Sequence, residues 1–331
     1  MKRVLFIFVI IFAVSDFASQ QLEAAQLSAV GNALSIDSIK SAINVFWKKT
    51  SCSGPISKRF EAMNILQRAA DSCSNIDFKT YLKSDNPQFC TQTEQNGIYY
   101  YYKAAFDKVK KEIEKTKVKR GTVAVWLLYN MGYVVKTPTS CFGIDICHKY
   151  GHLLANDIDF LLITHNHGDH YTAALIAAME NAGKPVVSNF IDNKYKVIGK
   201  SELKFGDIDI HTSLCDHNAT LVNFVVSYEI DCGPATNNYK IFHVGDACNF
   251  DQIEPIGNVD LFIPHLSVGL DIPKAVQIIQ PRIVLLSHIL EMTHAVDKWR
   301  WSYQFGVDKC RSIKQPNVFL PVWGEKILLK K

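Results

Sequence analysis

Between Thr164 and His170 the chain reads Thr-His-Asn-His-Gly-Asp-His, which sets the imidazoles of His165, His167 and His170 and the carboxylate of Asp169 within six residues. Each of these groups can bind a divalent cation. His165 and His167 are two apart, so on an extended segment their rings leave the same side and can grip one ion. Gly168 permits a turn that would bring Asp169 and His170 onto a second. One or two histidines would read as an ordinary histidine-bearing loop. Three with a carboxylate at this spacing imply a metal site whose remaining ligands come from elsewhere in the chain.

Such a site needs rigid supports, and the sequence around it supplies them. The run 160–164 is a short apolar strand leading into the motif, and 173–182 reads as a helix closed by Gly183. From Gly121 onward the pattern is of β type, with runs over 122–128, 133–137 and 142–147 bounded by Gly, Asn, Pro or Ser. Further strands are expected at 185–187, 208–212, 221–230, 240–244, 261–264 and 283–287, with a helix over 273–279 between the last two. Strand meanders followed by strand–helix alternation imply sheets covered by helices. Residues 21–119 look helical instead. Phe60, Met63 and Leu66 recur at three-residue steps, and Tyr102, Phe106, Val109 and Ile113 at alternating four and three. Pro55 and Ser84-Asp85-Asn86-Pro87 divide this region into several short helices.

Composition is that of a folded globule, 48% hydrophobic and 21% charged, and a net charge of +4 with no dense basic patch argues against nucleic acid as a partner. Lys2 and Arg3 precede an apolar run from Val4 to Val14, the layout of a secretory signal peptide, with Ser15, Ala18 and Ser19 as candidate cleavage points. The run is short for a bilayer span, so an exported protein without a membrane span in its mature form is expected, periplasmic or extracellular. Nine cysteines in an exported chain lead to the expectation of disulfides, locally among Cys52, Cys73 and Cys90 and between Cys141 and Cys147.

The motif His165-x-His167-x-Asp169-His170, followed by Asp216-His217-Asn218, by Val244-Gly245-Asp246 ending one strand and by Leu286-Ser287-His288 ending another, resembles the metallo-β-lactamase superfamily from roughly Gly121 to the C-terminus. That resemblance implies an α/β fold, a four-layer αββα sandwich, with residues 1–19 as signal peptide, 20–119 as a helical N-terminal extension and 120–331 as the metallo-β-lactamase-like domain. It further implies that His165, His167 and His217 bind one metal, that Asp169, His170 and His288 bind another, and that Asp246 bridges them, with Asp169 and Asp246 as the catalytic carboxylates. Two Zn²⁺ ions suit this donor mixture, and Mn²⁺ or Fe²⁺ fit the same shell. Asp145 resembles the family's acidic residue that orients a ligand histidine; a turn or surface aspartate is the alternative.

Other histidines compete for the late positions. His217 sits in a loop beside Asp216, whereas His211 falls within an alternating strand. His243 is expected to pack or to face away. His265 and His294 flank His288 and are read as surface or pocket-edge groups, and His148 and His152 as structural or exposed. Tyr99 to Tyr102, Trp126, Trp299 and Trp301 are candidate pocket walls, with packing favoured for the tyrosines.

A bridging carboxylate is absent from the zinc β-lactamases and present in the lactonase, phosphodiesterase and thioesterase branches. The pattern looks most like the branch of ascorbate-6-phosphate lactonase and N-acyl-phosphatidylethanolamine phospholipase D, and neither substrate is carried over. The expectation is a dinuclear hydrolase that uses a bridging hydroxide on an ester, lactone or phosphodiester of a small-molecule or lipid-like substrate. A non-hydrolytic metal-binding module and a mononuclear iron oxidoreductase on the same scaffold stay open, as does the oligomeric state.

Overall fold

A computed structural model describes residues 34–48, 56–253, 255, 257–296, 298–315 and 317–331. The expected signal segment and Cys52 lie outside these residues. The N-terminal region is a run of short helices: α1 (Ile36–Trp47), α2 (Ile56–Asp71), α3 (Asn75–Lys83), α4 (Pro87–Thr93) and α5 (Gly97–Lys115). Their starts are written in the sequence. Ser35 and Ser74 cap α1 and α3 by accepting from Ser38 N and Asp77 N, and Asn86 caps α4 with Pro87 at the first helical position. Among the described residues no helix is long and apolar enough to cross a membrane.

Two sheets follow. The first has the order β13-β1-β2-β3-β4-β5, built from β1 (Thr122–Tyr129), β2 (Gly132–Lys136), β3 (Cys141–Ile144), β4 (Phe160–Leu162), β5 (Val186–Val187) and the C-terminal β13 (Lys326–Lys330). Its companion runs β12-β11-β10-β9-β8-β7-β6. These strands are β6 (Ser201–Phe205), β7 (Ile208–Cys215), β8 (Val225–Asp231), β9 (Lys240–His243), β10 (Leu261–Ile263), β11 (Ile283–Leu285) and β12 (Val318–Phe319). Helix α6 (Ala173–Asn181) connects β4 to β5, α7 (Ile272–Ile279) connects β10 to β11, and α8 (Tyr303–Ser312) connects β11 to β12, each joining parallel neighbours. Parallel pairs need such crossovers, which lie over a sheet face. The result is the expected αββα sandwich. β6, β12, β13 and α8 were not legible, being short or polar; β13 pairs with β1 from the far end of the chain.

Alternation along β1 separates the two sides of the first sheet. Val123, Val125, Leu127 and Tyr129 belong to the large core shared with the second sheet, while Ala124, Trp126 and Leu128 pack with Phe106, Val109 and Ile113 of α5 and with Leu175 and Met179 of α6. Trp126 is therefore an outer-face core residue whose indole donates to Glu112, and not a pocket wall.

The helical extension shares the main core. Phe78, Tyr81, Tyr99, Tyr101 and Tyr102 are buried beside Tyr129 and Trp323, with Tyr101 stacked on Trp323 at 4.8 Å and Tyr102 edge-on to Tyr129 at 5.1 Å. Burying each such ring contributes roughly 1.5–3 kcal/mol. Three of the four consecutive tyrosines are thus packing residues because α5 lays most of its first turn against the sandwich. Trp47 comes so close to Gly324, at φ +77°, that a Cβ there would overlap its ring. Two arginines lock the union. The Arg300 guanidinium, buried, donates to the carbonyls of Ala70 and Cys73 at the end of α2 and to those of Met292 and His294. Arg59 of α2 makes a bidentate pair with the fully buried Glu325, at 2.7 and 3.0 Å.

The eight described cysteines are free thiols. The expected Cys141–Cys147 bridge does not form, because β3 carries the chain about 10 Å away from Cys141 at ~3.3 Å per residue. Cys147 instead donates to the Gly168 carbonyl beneath the histidine motif.

The Arg59–Glu325 pair gives a direct test of this docking. Arg59→Met leaves the buried carboxylate with the Val322 N–H as its remaining hydrogen bond, and a loss of about 3–5 kcal/mol is expected in guanidinium unfolding. A loss below about 1 kcal/mol would show that the extension is not integral to the fold.

Candidate metal centre

Every candidate ligand sits just beyond the C-terminal end of a strand. His165, His167, Asp169 and His170 follow β4, His217 follows β7, Asp246 follows β9 and His288 follows β11. β9, β10 and β11 are parallel, and β7 runs in the same direction as β9 through two antiparallel pairings, so these ends meet at one edge. The β4 end of the other sheet faces them. Gly245 makes this approach possible: it lies at φ +50°, and a Cβ there would stand 2.7 Å from Thr164.

Four overlapping groups of donors result among the described residues, two made of the expected ligands and two formed by Asp246, His265 and His288 and by Asp169, Glu291 and His294. His165, His167, His217 and Asp246 have ligand atoms within 4.8 Å of one another, and so do Asp169, His170 and His288. Asp246 stands between the groups. Its Oδ2 lies 3.5 Å from His217 Nε2 and 3.9 Å from His165 Nε2, and its Oδ1 lies 3.4 Å from His170 Nε2. Asp169 Oδ2 lies 3.0 Å from His288 Nε2.

Behind these donors a buried carboxylate fixes the motif. Asp145, in a left-handed turn after β3, accepts from Thr164 N and Thr164 Oγ1 at 2.7 Å each and from His170 Nδ1 at 2.9 Å. Thr164 Oγ1, its proton given to Asp145, accepts from His165 Nδ1 at 2.9 Å. Both imidazoles thereby turn Nε2 inward, the nitrogen that a metal would take. Of the two readings open for Asp145, the orienting one describes its place.

The donors fit cations. His165 Nε2 and His167 Nδ1 are 3.0 Å apart, a separation suited to two ligands of one ion. His170 Nε2 and Asp246 Oδ1 are buried without a hydrogen-bond partner, which is costly unless something polar comes between them. Electrostatics agree. Burial acts against a charge on His170, yet Asp246, Asp169 and Asp145 outweigh it and hold the imidazole well above its ordinary pKa. For Asp246 burial acts upward, and the charge on His170 outweighs it and holds the carboxyl well below the usual range. A cluster that draws positive charge so strongly is one that a divalent ion neutralises.

His265 departs from its expected place. It is 4% exposed, follows β10, and puts Nε2 4.0 Å from Asp246 Oδ2, with its ring 4.1 Å from that of His288. Its Nδ1 accepts from Ser267 N at 2.8 Å, and burial holds its pKa well below the ordinary value, so the neutral ring presents an Nε2 proton to the site. The strand-end rule that picks out the other ligands would have found it. Glu291 was also missed. It is fully buried, accepts from Tyr129 Oη, Thr293 Oγ1 and His294 N, and lies 2.8 Å from His294 Nδ1. The three-residue steps His288, Glu291, His294 were its signal. His243 is buried and accepts from Gly245 N, and His148 is stacked on Tyr102 with its pKa pushed down by burial to about 3; both are structural. His211 lies on β7 beside Glu202, away from the centre.

A cavity of about 1020 Å³ opens over the centre. Trp299 and Trp301 line it, as does His294, and the extension contributes Lys79, Leu82 and Lys83 from α3.

Comparison with known proteins agrees with this geometry. The chain is 26% identical to a UPF0173 metal-dependent hydrolase of Pyrococcus horikoshii over 150 residues, which is 40% of this chain and 67% of that protein. It is 30% identical to a UPF0173 metal-dependent hydrolase of Thermoplasma volcanium over 115 residues, 31% of this chain and 49% of that one. The chain thus spans about two thirds of the first and half of the second. Among solved structures it resembles the metallo-β-lactamase fold protein YhfI from Bacillus subtilis, with a TM-score of 0.50 and 14% identity over 63% of this chain and 100% of that one. No protein-family model matches. The chain has the metallo-β-lactamase fold. Its relatives in sequence are metal-dependent hydrolases.

Asp145→Asn replaces an acceptor of three hydrogen bonds by a group that can no longer accept them all. Zinc affinity at the Asp169, His170 and His288 group should fall about 10- to 100-fold in competition with a chromogenic chelator. Unchanged affinity in a folded variant would remove the orienting role.

Proposed function

We propose that this chain is a dinuclear metal hydrolase acting on an ester, lactone or phosphodiester, and that Zn²⁺ is its ion. The observation that carries the reading is Asp246, a buried carboxylate with one oxygen toward each donor group. His165, His167 and His217 would hold one ion and Asp169, His170 and His288 the other, a nitrogen and oxygen set that suits zinc. When bound, two such ions supply an activated water and offset charge on the substrate's oxygens.

The chain's own groups do the rest. Asp145 and Thr164 fix the rings of His170 and His165 with Nε2 toward the site. Asn130 donates to the backbone and side-chain oxygens of Asp169 and fixes that carboxylate beside His288. His265 offers its Nε2 proton where negative charge develops, the place for a preorganised donor. No nucleophilic side chain is needed. Cys147 next to the motif is held protonated, its pKa well above the ordinary value through burial.

Zinc-loaded wild type is expected to hydrolyse p-nitrophenyl butyrate or bis-p-nitrophenyl phosphate, and Asp246→Asn to lose about a hundredfold or more in kcat/KM. Wild type without turnover of either ester, or a variant as active as wild type, would overturn the reading.

A further inference from the structure

The walls of the cavity are chemically one-sided. Helix α3 brings Lys79 and Lys83, four residues apart and so on one face, with Leu82 beside them. The facing wall carries Trp301 and the 65% exposed Trp299, an indole left uncovered at the mouth. Among the described residues that line the cavity the carboxylates are Asp169 and Asp246, both candidate ligands. Two divalent ions would offset these carboxylates together with the buried Asp145 and Glu291 behind them, so the floor would not compete with an anion for the lysines. Cleft walls of one sign focus potential on a charged ligand.

Both walls are held in place. Lys149 donates to the carbonyls of Leu82 and Ser84 and pins the end of α3, while Phe78 and Tyr81 bury its other face. Arg300, between Trp299 and Trp301, ties their segment to the end of α2. A volume of about 1020 Å³ is at the upper end for small-molecule sites, which suits a ligand reaching from the metals to the rim.

Resting on the hydrolase reading above, we propose that the helical extension is the specificity element of this site. It selects substrates that carry an anionic group apart from the bond that is cleaved, with Lys79 and Lys83 binding the anion and Trp299 and Trp301 covering an apolar portion. The substrate class is an amphiphilic anionic ester or lactone. An exposed lysine pair contributes modestly per charge, and loss of both should be felt as a factor of about five.

The test compares two esters of one leaving group, p-nitrophenyl butyrate and mono-p-nitrophenyl succinate, on the zinc-loaded full chain. In Lys79→Ala/Lys83→Ala the kcat/KM ratio of succinate to butyrate should fall about fivefold through KM, fall further in low salt, and return in Lys79→Arg/Lys83→Arg. An unchanged ratio, or no recovery with arginine, overturns the proposal. Calorimetric titration with phenyl phosphate separates it from the hydrolase reading. If wild type turns over neither ester nor bis-p-nitrophenyl phosphate but binds phenyl phosphate about fivefold more tightly than the double alanine variant, the hydrolase reading fails and the anion site stands. Equal affinities for the two proteins defeat the anion site whatever the turnover.

Discussion

Carboxylates and imidazoles taken out of water must find charge or hydrogen bonds to replace what they lose, and this requirement governs one whole edge of the sandwich. His165, His170, His265 and His288 are all buried around Asp246, each with a nitrogen within 4.8 Å of one of its oxygens. An uncompensated ion in such surroundings costs several kcal/mol even after relaxation. The imidazoles and carboxylates offset one another in part, but the inward nitrogen of His170 and one oxygen of Asp246 stay without hydrogen-bond partners. Cations at this point would answer both needs. The rest of the fold reads as the machinery that keeps the donors from relaxing apart.

That machinery is a set of strand ends. Parallel β9, β10 and β11 deliver Asp246, His265 and His288 in neighbouring positions, and β4 delivers the histidine motif from the opposite sheet. Asp145 then converts a flexible loop into an oriented one with three hydrogen bonds. Gly245 lets the loop bearing Asp246 close over Thr164, so the orienting network and the Asp246 loop share one contact. The helical extension works at a longer range. Through Arg59, Arg300 and a cluster of aromatic rings it becomes part of the same core, and its third helix forms a wall above the donor cluster.

The parts of this site that are contiguous in sequence were legible there. Three histidines and an aspartate in six residues after an apolar strand announce coordination by spacing alone, and the late residues His217, Asp246 and His288 were placed through the family pattern. His265 was read as a surface or pocket-edge group, although it directly follows the expected strand 261–264, whose end closes on the centre. The sequence could not connect Lys79 and Lys83 with a cavity whose floor lies some ninety residues further on. Amphipathic spacing tells that α5 buries a face but not what lies behind it, which is why Trp126 and the tyrosine run stayed candidates for a pocket they do not line. Cysteine counts mislead in the same way: eight of these side chains serve as small buried or half-buried packing groups.

The central claim is that two ions share Asp246, and anomalous scattering from crystals of the zinc-loaded protein, collected on both sides of the zinc edge, tests it most directly. The account predicts two zinc peaks flanking Asp246, about 3.5–4 Å apart, one among His165, His167 and His217 and the other among Asp169, His170 and His288. A single peak, or a second one lying with Glu291 and His294 away from Asp246, would contradict it.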